Sequence, residues 1–212
     1  MKLNLTADEV LTTTRSVRKR LDLERPVERQ VILDCLDIAL QAPTGSNRQG
    51  WSFMFVEDPA KKQAIADFYG HNFDEYTKQS AVWPEGDPRA LQVDAVRSSA
   101  TYLRDNFHRV PVLMIPLYAG RLENLPVFAS AGAWGSILPA VWSFMLALRE
   151  RGLGSAWTTL HLPNEREVAD LLDIPFDQYT QAGLFPIAYT VGTDFKPAKR
   201  ISTDQFVHWD TW

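Results

Sequence analysis

The sequence predicts an α+β domain built around one central sheet, on three observations. Short apolar runs with strand character, "WSFMFVED", "VPVLMIPLY" and "LFPIAYTVG", are separated from one another by segments of helical periodicity. The helical segments outnumber the strand-like runs. No internal repeat, low-complexity tract or linker divides the chain, and 212 residues suffice for one large domain with a sizeable core, or for a domain completed by a second copy. Residues 1–212 therefore read as a single domain.

Each element follows from local signals. Residues 6–9, "TADE", have the form of a capping box, with Thr6 accepting from the first-turn amides and Glu9 reaching back, so a short helix is expected to end near "TTTRSVRKR". A second helix begins after Pro26 and carries Val31, Cys35, Leu36 and Ala39 as one apolar stripe; it is expected to end at Ala42, because Pro43 disfavours helical geometry in the residue before it. "WSFMFVED" reads as a buried strand, and "DPAKKQAIADFY" as a helix with Asp58 at the cap and Pro59 in its first position. Residues 70–98, with "WPEGDPR" in their middle, are polar and irregular and are expected to form a loop or lid that sets specificity. A helix from about Val93 to Phe107 leads into "VPVLMIPLY", a buried strand whose prolines predict an irregular or edge-adjacent course. "GSILPAVWSFMLALRERGLG" predicts a long helix capped by Ser136, with Pro139 in the first turn and Gly152 in the left-handed position after its end. Apolar side chains lie around most of its circumference, which predicts a central helix and a subunit interface. "NEREVADLLDI" is a short helix and "LFPIAYTVG" the third strand, after which polar "TDFKPAKRIS" leads to the aromatic tail "FVHWDTW".

Composition narrows the function. A formal net charge of −4 gives no global reason to bind nucleic acid or an anionic membrane, so any anion site must be local. The single cysteine, Cys35, excludes an intrachain disulfide, offers no zinc motif and reads as a buried small hydrophobe. No Ser-His-Asp or metal constellation is evident. His71, His108, His161 and His208 are scattered and read as structural or exposed, with His71 or His161 able to face a substrate. The start, "MKLNLTADEV", lacks the apolar core of a signal peptide, which predicts a cytoplasmic protein. The least polar stretch, "ASAGAWGSILPAVWSFMLAL", is interrupted by Gly132, Gly135, Ser136, Pro139 and Ser143 and reads as a buried helix, not a membrane span.

Four clusters can carry chemistry. In "TTRSVRKR", Arg15, Ser16 and Arg18 suit a compact phosphate clamp, since guanidinium presents a planar fork of donors; the alternative is a solvated helix end. "APTGSNRQGW" reads either as a helix-to-strand turn or as a loop for a flat ligand: Gly45 allows close approach, Thr44 and Ser46 offer hydroxyls, and Asn47 and Gln49 offer paired donors and acceptors. "GLGSAWTTL" places Trp157, Thr158 and Thr159 where they can lie against a planar ring, or simply ends a helix and starts a strand. "KPAKRIS" supplies Lys199 and Arg200.

In order and spacing these segments, "RSVR", "APTGSNRQGW", "VPVLMIPLY", "AVWSFMLALRERGLGSAWTT" and "PIAYTVGTDFKPAKR", resemble the nitroreductase family of FMN flavoproteins over nearly the whole chain. The resemblance implies a central mixed sheet enclosed by helices, an intertwined homodimer and two FMN sites at its interface. By carry-over, Arg15, Ser16 and Arg18 hold the flavin phosphate and pyrimidine edge, with Arg200 and Lys199 completing the phosphate site. Pro43, Thr44, Gly45, Ser46 and Asn47 would come from the other subunit, and Gln49 touches the flavin or supports that loop. Trp157, Thr158 and Thr159 line one face, the Thr159 backbone N–H aimed at flavin N5. The implied activity is transfer of hydride from NADPH or NADH through N5 to a nitroaromatic, quinone or similar small acceptor by a ping-pong cycle, with no catalytic acid required from the protein. Specialised relatives of the fold, a dehydrogenase, a dehalogenase or a flavin-cleaving enzyme, and a non-catalytic flavin-binding or sensing protein are the alternatives. Two departures stand out: Thr14 where many members have a further arginine, and Gly50 where proline is usual.

Overall fold

The computed structural model describes residues 2–78, 83, 86–87 and 89–212. Helix α1 (Ala7–Thr13) starts on the expected capping box: the Glu9 amide donates to Thr6 Oγ1 at 3.3 Å, and the Thr6 amide donates to Glu9 Oε2 at 2.8 Å. Helix α2 (Arg29–Ala39) buries Ile32, Cys35 and Ala39. Its α-helical part stops at Ala39, three residues earlier than expected, because the amides of Gln41 and Ala42 turn back to Ile38 and Ala39 in tighter i→i−3 bonds before Pro43.

Strand β1 (Trp51–Val56) is half-buried, not fully buried. Helix α3 (Pro59–Thr77) is capped by Asp58, whose Oδ1 accepts from the Lys61 amide at 2.8 Å, and it runs through residues expected to be irregular. Tyr69 and Phe73, one turn apart, stack at 6.2 Å and continue the buried face that the polar residues around them obscure in sequence. Helix α4 (Val93–Asn106) takes the other end, so the described residues of the 70–98 segment are largely helical; residues 79–82, 84–85 and 88 of it lie outside the described residues.

The remaining elements are β2 (Val112–Ala119), α5 (Val127–Glu150), β3 (Leu153–Gly154), α6 (Glu165–Leu172), β4 (Tyr179–Gln181) and β5 (Phe185–Tyr189). The strand order is β1-β2-β5-β3, with β4 also on β2. All ladders among the described residues are antiparallel, and the parallel component of the mixed sheet is confined to one bridge, Ser16 to Ser155. The prolines do not push β2 to an edge: it is the central strand. Pro116 falls at the seam where β2 passes from β5 (Val112–Met114) to β4 (Leu117–Ala119). Its carbonyl faces that seam, accepting from the Ala182 amide at 2.8 Å, and its missing N–H faces the same way, where no regular ladder needs it.

Strand alternation then sets two cores. Leu113, Ile115 and Leu117 of β2 pack with α3, α4 and α6, whereas Val112 and Met114 pack with α2 and α5. A sheet covered on both faces explains why β2 and β5 read as unbroken apolar runs.

Helix α5 starts at Val127, well before Ser136, and contains Pro139 in its interior. Ser136 is not its cap: its Oγ donates to the Gly132 carbonyl at 2.7 Å and accepts from the Gly45 amide at 3.0 Å. Gly152 does take the left-handed conformation after the helix, with φ +74°. Among the described residues α5 is the helix long and apolar enough to cross a membrane, yet half of its most apolar window is buried in this fold, as a core helix requires. Cys35 is wholly buried, and desolvation pushes its thiol up to about 11, so it is uncharged at neutral pH.

Candidate functional site

The site grows from the contact between the N-terminal segment and β3. Val17 donates its amide to the Ser155 carbonyl at 2.8 Å, and Ser16 bridges to Ser155, so residues 15–18 lie beside the start of "SAWTT". This approach requires Gly154: a Cβ there would stand 2.8 Å from Val17 Cβ and 2.8 Å from Thr190 Cγ2. Gly154→Ala is expected to cost about 1–3 kcal/mol in thermal unfolding, because the clash is with an atom next to the backbone. An unchanged melt would show that the segment yields freely.

Two arginines are brought together from opposite ends of the chain. Desolvation, and then the charge of Arg200, hold the Arg15 guanidinium below its ordinary pKa. A neighbouring like charge disfavours the charged form, and an anion bound between the two would relieve it. Arg15 also donates Nη1 to the Lys196 carbonyl at 3.3 Å, which ties it to the segment leading to Lys199 and Arg200. Arg18 is half-buried, and desolvation again depresses its guanidinium. Among the described residues, no ion pair involves Arg15, Arg18, Lys199 or Arg200, although acids pair with several other arginines. Ser155, whose backbone lies against Ser16 and Val17, has a buried Oγ with no hydrogen-bond partner. Uncompensated guanidiniums and an unsatisfied hydroxyl suit a phosphate with several acceptor oxygens, so the residues present fit the phosphorylated end of FMN.

Lys199 and Arg200 line a cavity of about 320 Å³ with Arg89, Leu91 and Gln92. Arg89 and Gln92 also line an adjoining cavity of about 370 Å³, walled mainly by Phe73, Tyr76, Trp83, Val93 and Val96. The segment expected to set specificity therefore builds an apolar chamber next to a cationic one.

The loop expected at the flavin lies elsewhere in the chain's fold. Pro43 and residues 45–49 are exposed, Thr44 is half-buried, and Gly45 is anchored on α5 through Ser136. Gly45 is not the special backbone position: Ser46, Asn47 and Gln49 have φ of 53°, 52° and 49°, while a Cβ on Gly45 would meet only ordinary contacts. Side chains support this left-handed backbone, Gln49 Nε2 donating to Asn47 Oδ1 at 3.1 Å and the Gln49 amide to Thr44 Oγ1 at 3.3 Å. Strain of this kind collects at ligand sites. No hydrogen bond or shared cavity joins the loop to the arginine cluster among the described residues.

Trp157 is half-buried against Phe185, ring centroids 5.1 Å apart. Thr158 is buried, donating Oγ1 to the Leu184 carbonyl at 2.6 Å, whereas Thr159 is exposed. His161, a candidate for facing substrate, is wholly buried and pairs Nε2 with Gln181 Oε1 at 3.1 Å; Gln181 in turn donates to Glu165, which holds Arg121. His71 is exposed on α3. Sequence reasoning missed Gly154, Ser155 and this polar chain, since a lone glycine, serine or glutamine carries no spacing signal.

The family model described as the Nitroreductase family matches residues 11–189. Protein DrgA of Synechocystis sp. is 27% identical over 141 residues, 66% of this chain and 64% of that protein, so the chain spans just under two thirds of that relative. An iodotyrosine deiodinase of Thermotoga neapolitana is 26% identical over 179 residues, 84% of this chain and 86% of that protein. Among solved structures, oxidized iodotyrosine deiodinase bound to FMN and 3-iodo-L-tyrosine superposes with TM-score 0.73 at 23% identity, covering 98% of this chain and 100% of that one. The FMN and NADPH-dependent nitroreductase NfnB from Sphigopyxis sp. strain HMH gives TM-score 0.71 at 22% identity with the same coverage. At these identities the two structures speak to the fold.

Proposed function

The chain belongs to the nitroreductase family, and from that premise we propose that it is an FMN-dependent oxidoreductase using NADPH or NADH to reduce a nitroaromatic, quinone or similar small acceptor in a ping-pong cycle. The observation that carries this reading is that Arg15, tied to the Lys196 carbonyl, feels the charge of Arg200 with no carboxylate among the described residues paired to either of them. Arg15, Ser16 and Arg18 hold the phosphate and the pyrimidine edge, and Arg200 and Lys199 complete the phosphate site. Trp157, Thr158 and Thr159 flank the ring from the same chain, with the Thr159 N–H at its reactive edge. Pro43, Thr44, Gly45, Ser46, Asn47 and Gln49 serve the site of a second copy, which agrees with their outward, strained and exposed loop. Bound FMN supplies the two-electron chemistry; the chain binds, orients and shields it.

A homodimer follows from the same reading. Val127 and Phe128 on α5 are 86% and 80% exposed, and Phe206, Trp209 and Trp212 of the tail stand in solvent on one chain. Such surface needs a partner. Deleting residues 206–212 is expected to shift the dimer towards monomer in sedimentation velocity; an unchanged dissociation constant would remove the tail from the interface.

The apolar chamber between α3 and α4 receives the acceptor. Val96→Trp, which fills it, is expected to raise KM for the acceptor severalfold while flavin content stays constant. Loss of flavin instead would place the chamber in the cofactor site. A second reading, reductive removal of halide from an aromatic ring, is favoured by the similarity to the Thermotoga neapolitana deiodinase over most of both chains.

One experiment separates these. The absorption spectrum of the purified protein is followed under argon, first with NADH or NADPH, then with acceptor. Bleaching by a nicotinamide and recovery with a nitroaromatic or quinone supports the proposal. Bound flavin that bleaches only with dithionite, and recovers with an iodoaromatic, transfers it to the second reading. Apo protein that takes up no FMN rejects both.

A further inference from the structure

The arm carrying Lys199 and Arg200 is held mainly by a residue outside the phosphate cluster. Residues 20–22 run beside 189–191: the Val191 amide donates to the Arg20 carbonyl and the Asp22 amide to the Tyr189 carbonyl, both at 2.8 Å. The Arg20 side chain then follows the arm outward. Its Nε donates to the Val191 carbonyl at 2.8 Å, its Nη2 to Asp194 Oδ1 at 2.6 Å, and its guanidinium carbon lies 4.2 Å from the Phe195 ring centroid. Gly192 has φ +74°, and a Cβ there would come within 2.6 Å of Arg20 Nη2, so the guanidinium crosses a position that only glycine leaves open.

Phe195 is gripped further. It packs against the main core, and Arg149, only 6% exposed and donating Nε to Thr13 Oγ1 at 3.1 Å, stands 5.0 Å from the same ring centroid. The next residue, Lys196, accepts from Arg15 at 3.3 Å. Arg200 is four residues beyond, a reach of at most ~14 Å for extended chain. Fixing residues 192–196 therefore confines both cations near Arg15. An untethered arm would lose its conformational freedom only on binding, at the expense of affinity.

We propose that Arg20 is a positioning residue: together with Phe195 it clamps the 192–196 segment, holds Lys199 and Arg200 against Arg15, and so sets recognition of the cofactor's phosphate. This rests on the cofactor reading above. The distinctive consequence is selectivity, because riboflavin has the same ring and ribityl chain but no phosphate for the arm to meet.

The test titrates FMN and riboflavin into the apo forms of the wild type, Arg20→Ala, Arg20→Lys and Phe195→Leu. Arg20→Ala is expected to lose about tenfold in FMN affinity with riboflavin affinity unchanged, a difference that general loosening would not produce. Arg20→Lys should recover part of the loss, since one ammonium reaches Asp194 but cannot also hold Val191. Phe195→Leu keeps an apolar side chain in place, removes the ring face, and should move selectivity in the same direction. Equal loss of both flavins, or FMN selectivity surviving in both Arg20→Ala and Phe195→Leu, overturns the clamp alone. A wild type that binds the two flavins equally overturns the phosphate reading and the clamp with it.

Discussion

Arg18→Ala is expected to lower the affinity of the apo protein for FMN by about one to two orders of magnitude, and Arg200→Ala by about tenfold, with riboflavin affinity preserved in Arg200→Ala. The ranking comes from burial. A charge-assisted hydrogen bond contributes roughly 1.5 to 3 kcal/mol, and water competes less for a guanidinium already withdrawn from it. Arg18 is half-buried with its charged form disfavoured by desolvation, whereas Arg200 is exposed, which places it at the lower end. Thr14, beside Arg15, adds no charge to the cluster, which concentrates the load on these side chains. Fluorescence titration of the apo variants measures it. Riboflavin weakening in step with FMN in Arg200→Ala would mean that Arg200 shapes the ring site; unchanged FMN affinity in both variants would put the phosphate elsewhere.

Acid is expected to destabilise the fold through His161. Burial drives this imidazole down to about 4 from an ordinary 6.5, against the opposing effect of its Gln181 hydrogen bond. Well above pH 6.5 the ring is neutral in both states and contributes no pH dependence. As pH falls from 6.5 to about 4, the unfolded chain takes up a proton that the folded protein refuses, so stability is lost across that window and levels off below it. At 1.36 kcal/mol per unit the loss is about 3 kcal/mol, or a Tm decrease on the order of 6–12 °C for a chain of this size. His161→Gln, which keeps a donor towards Gln181, should be less stable at neutral pH but show a flatter acid limb. Melts of both proteins between pH 7.5 and 4 with parallel slopes would show that other groups control acid unfolding.

Local chemistry was legible wherever one residue type has one geometric use. The Thr6–Glu9 capping box, Asp58 and Pro59 at the start of α3, and left-handed Gly152 all sit where the sequence places them, because each satisfies its own backbone within a turn. Boundaries failed where tertiary contact outweighs local preference. The segment from Gly70 looks irregular because α3 mixes many polar residues with few apolar ones and shows little apolar periodicity, yet burial of Phe73 against Tyr69 extends the helix to Thr77. Pro139 looks like a first-turn proline, but α5 is carried through it by apolar packing against α2 and the sheet.

The sequence by itself determined the α+β class, the arginine and loop motifs and their family resemblance, since these depend on periodicity and on order along the chain. Only the tertiary structure decided that Arg15 and Arg200, separated by nearly the whole chain, share one electrostatic site, that β2 is central despite Pro116, that His161 is sealed in the core, and that Arg20 crosses Gly192 to grip Phe195. The physical reason is range. Capping and periodicity act over three or four neighbours and leave a trace in spacing, whereas desolvation, like-charge proximity and steric approach arise between residues that meet only when the sheet closes.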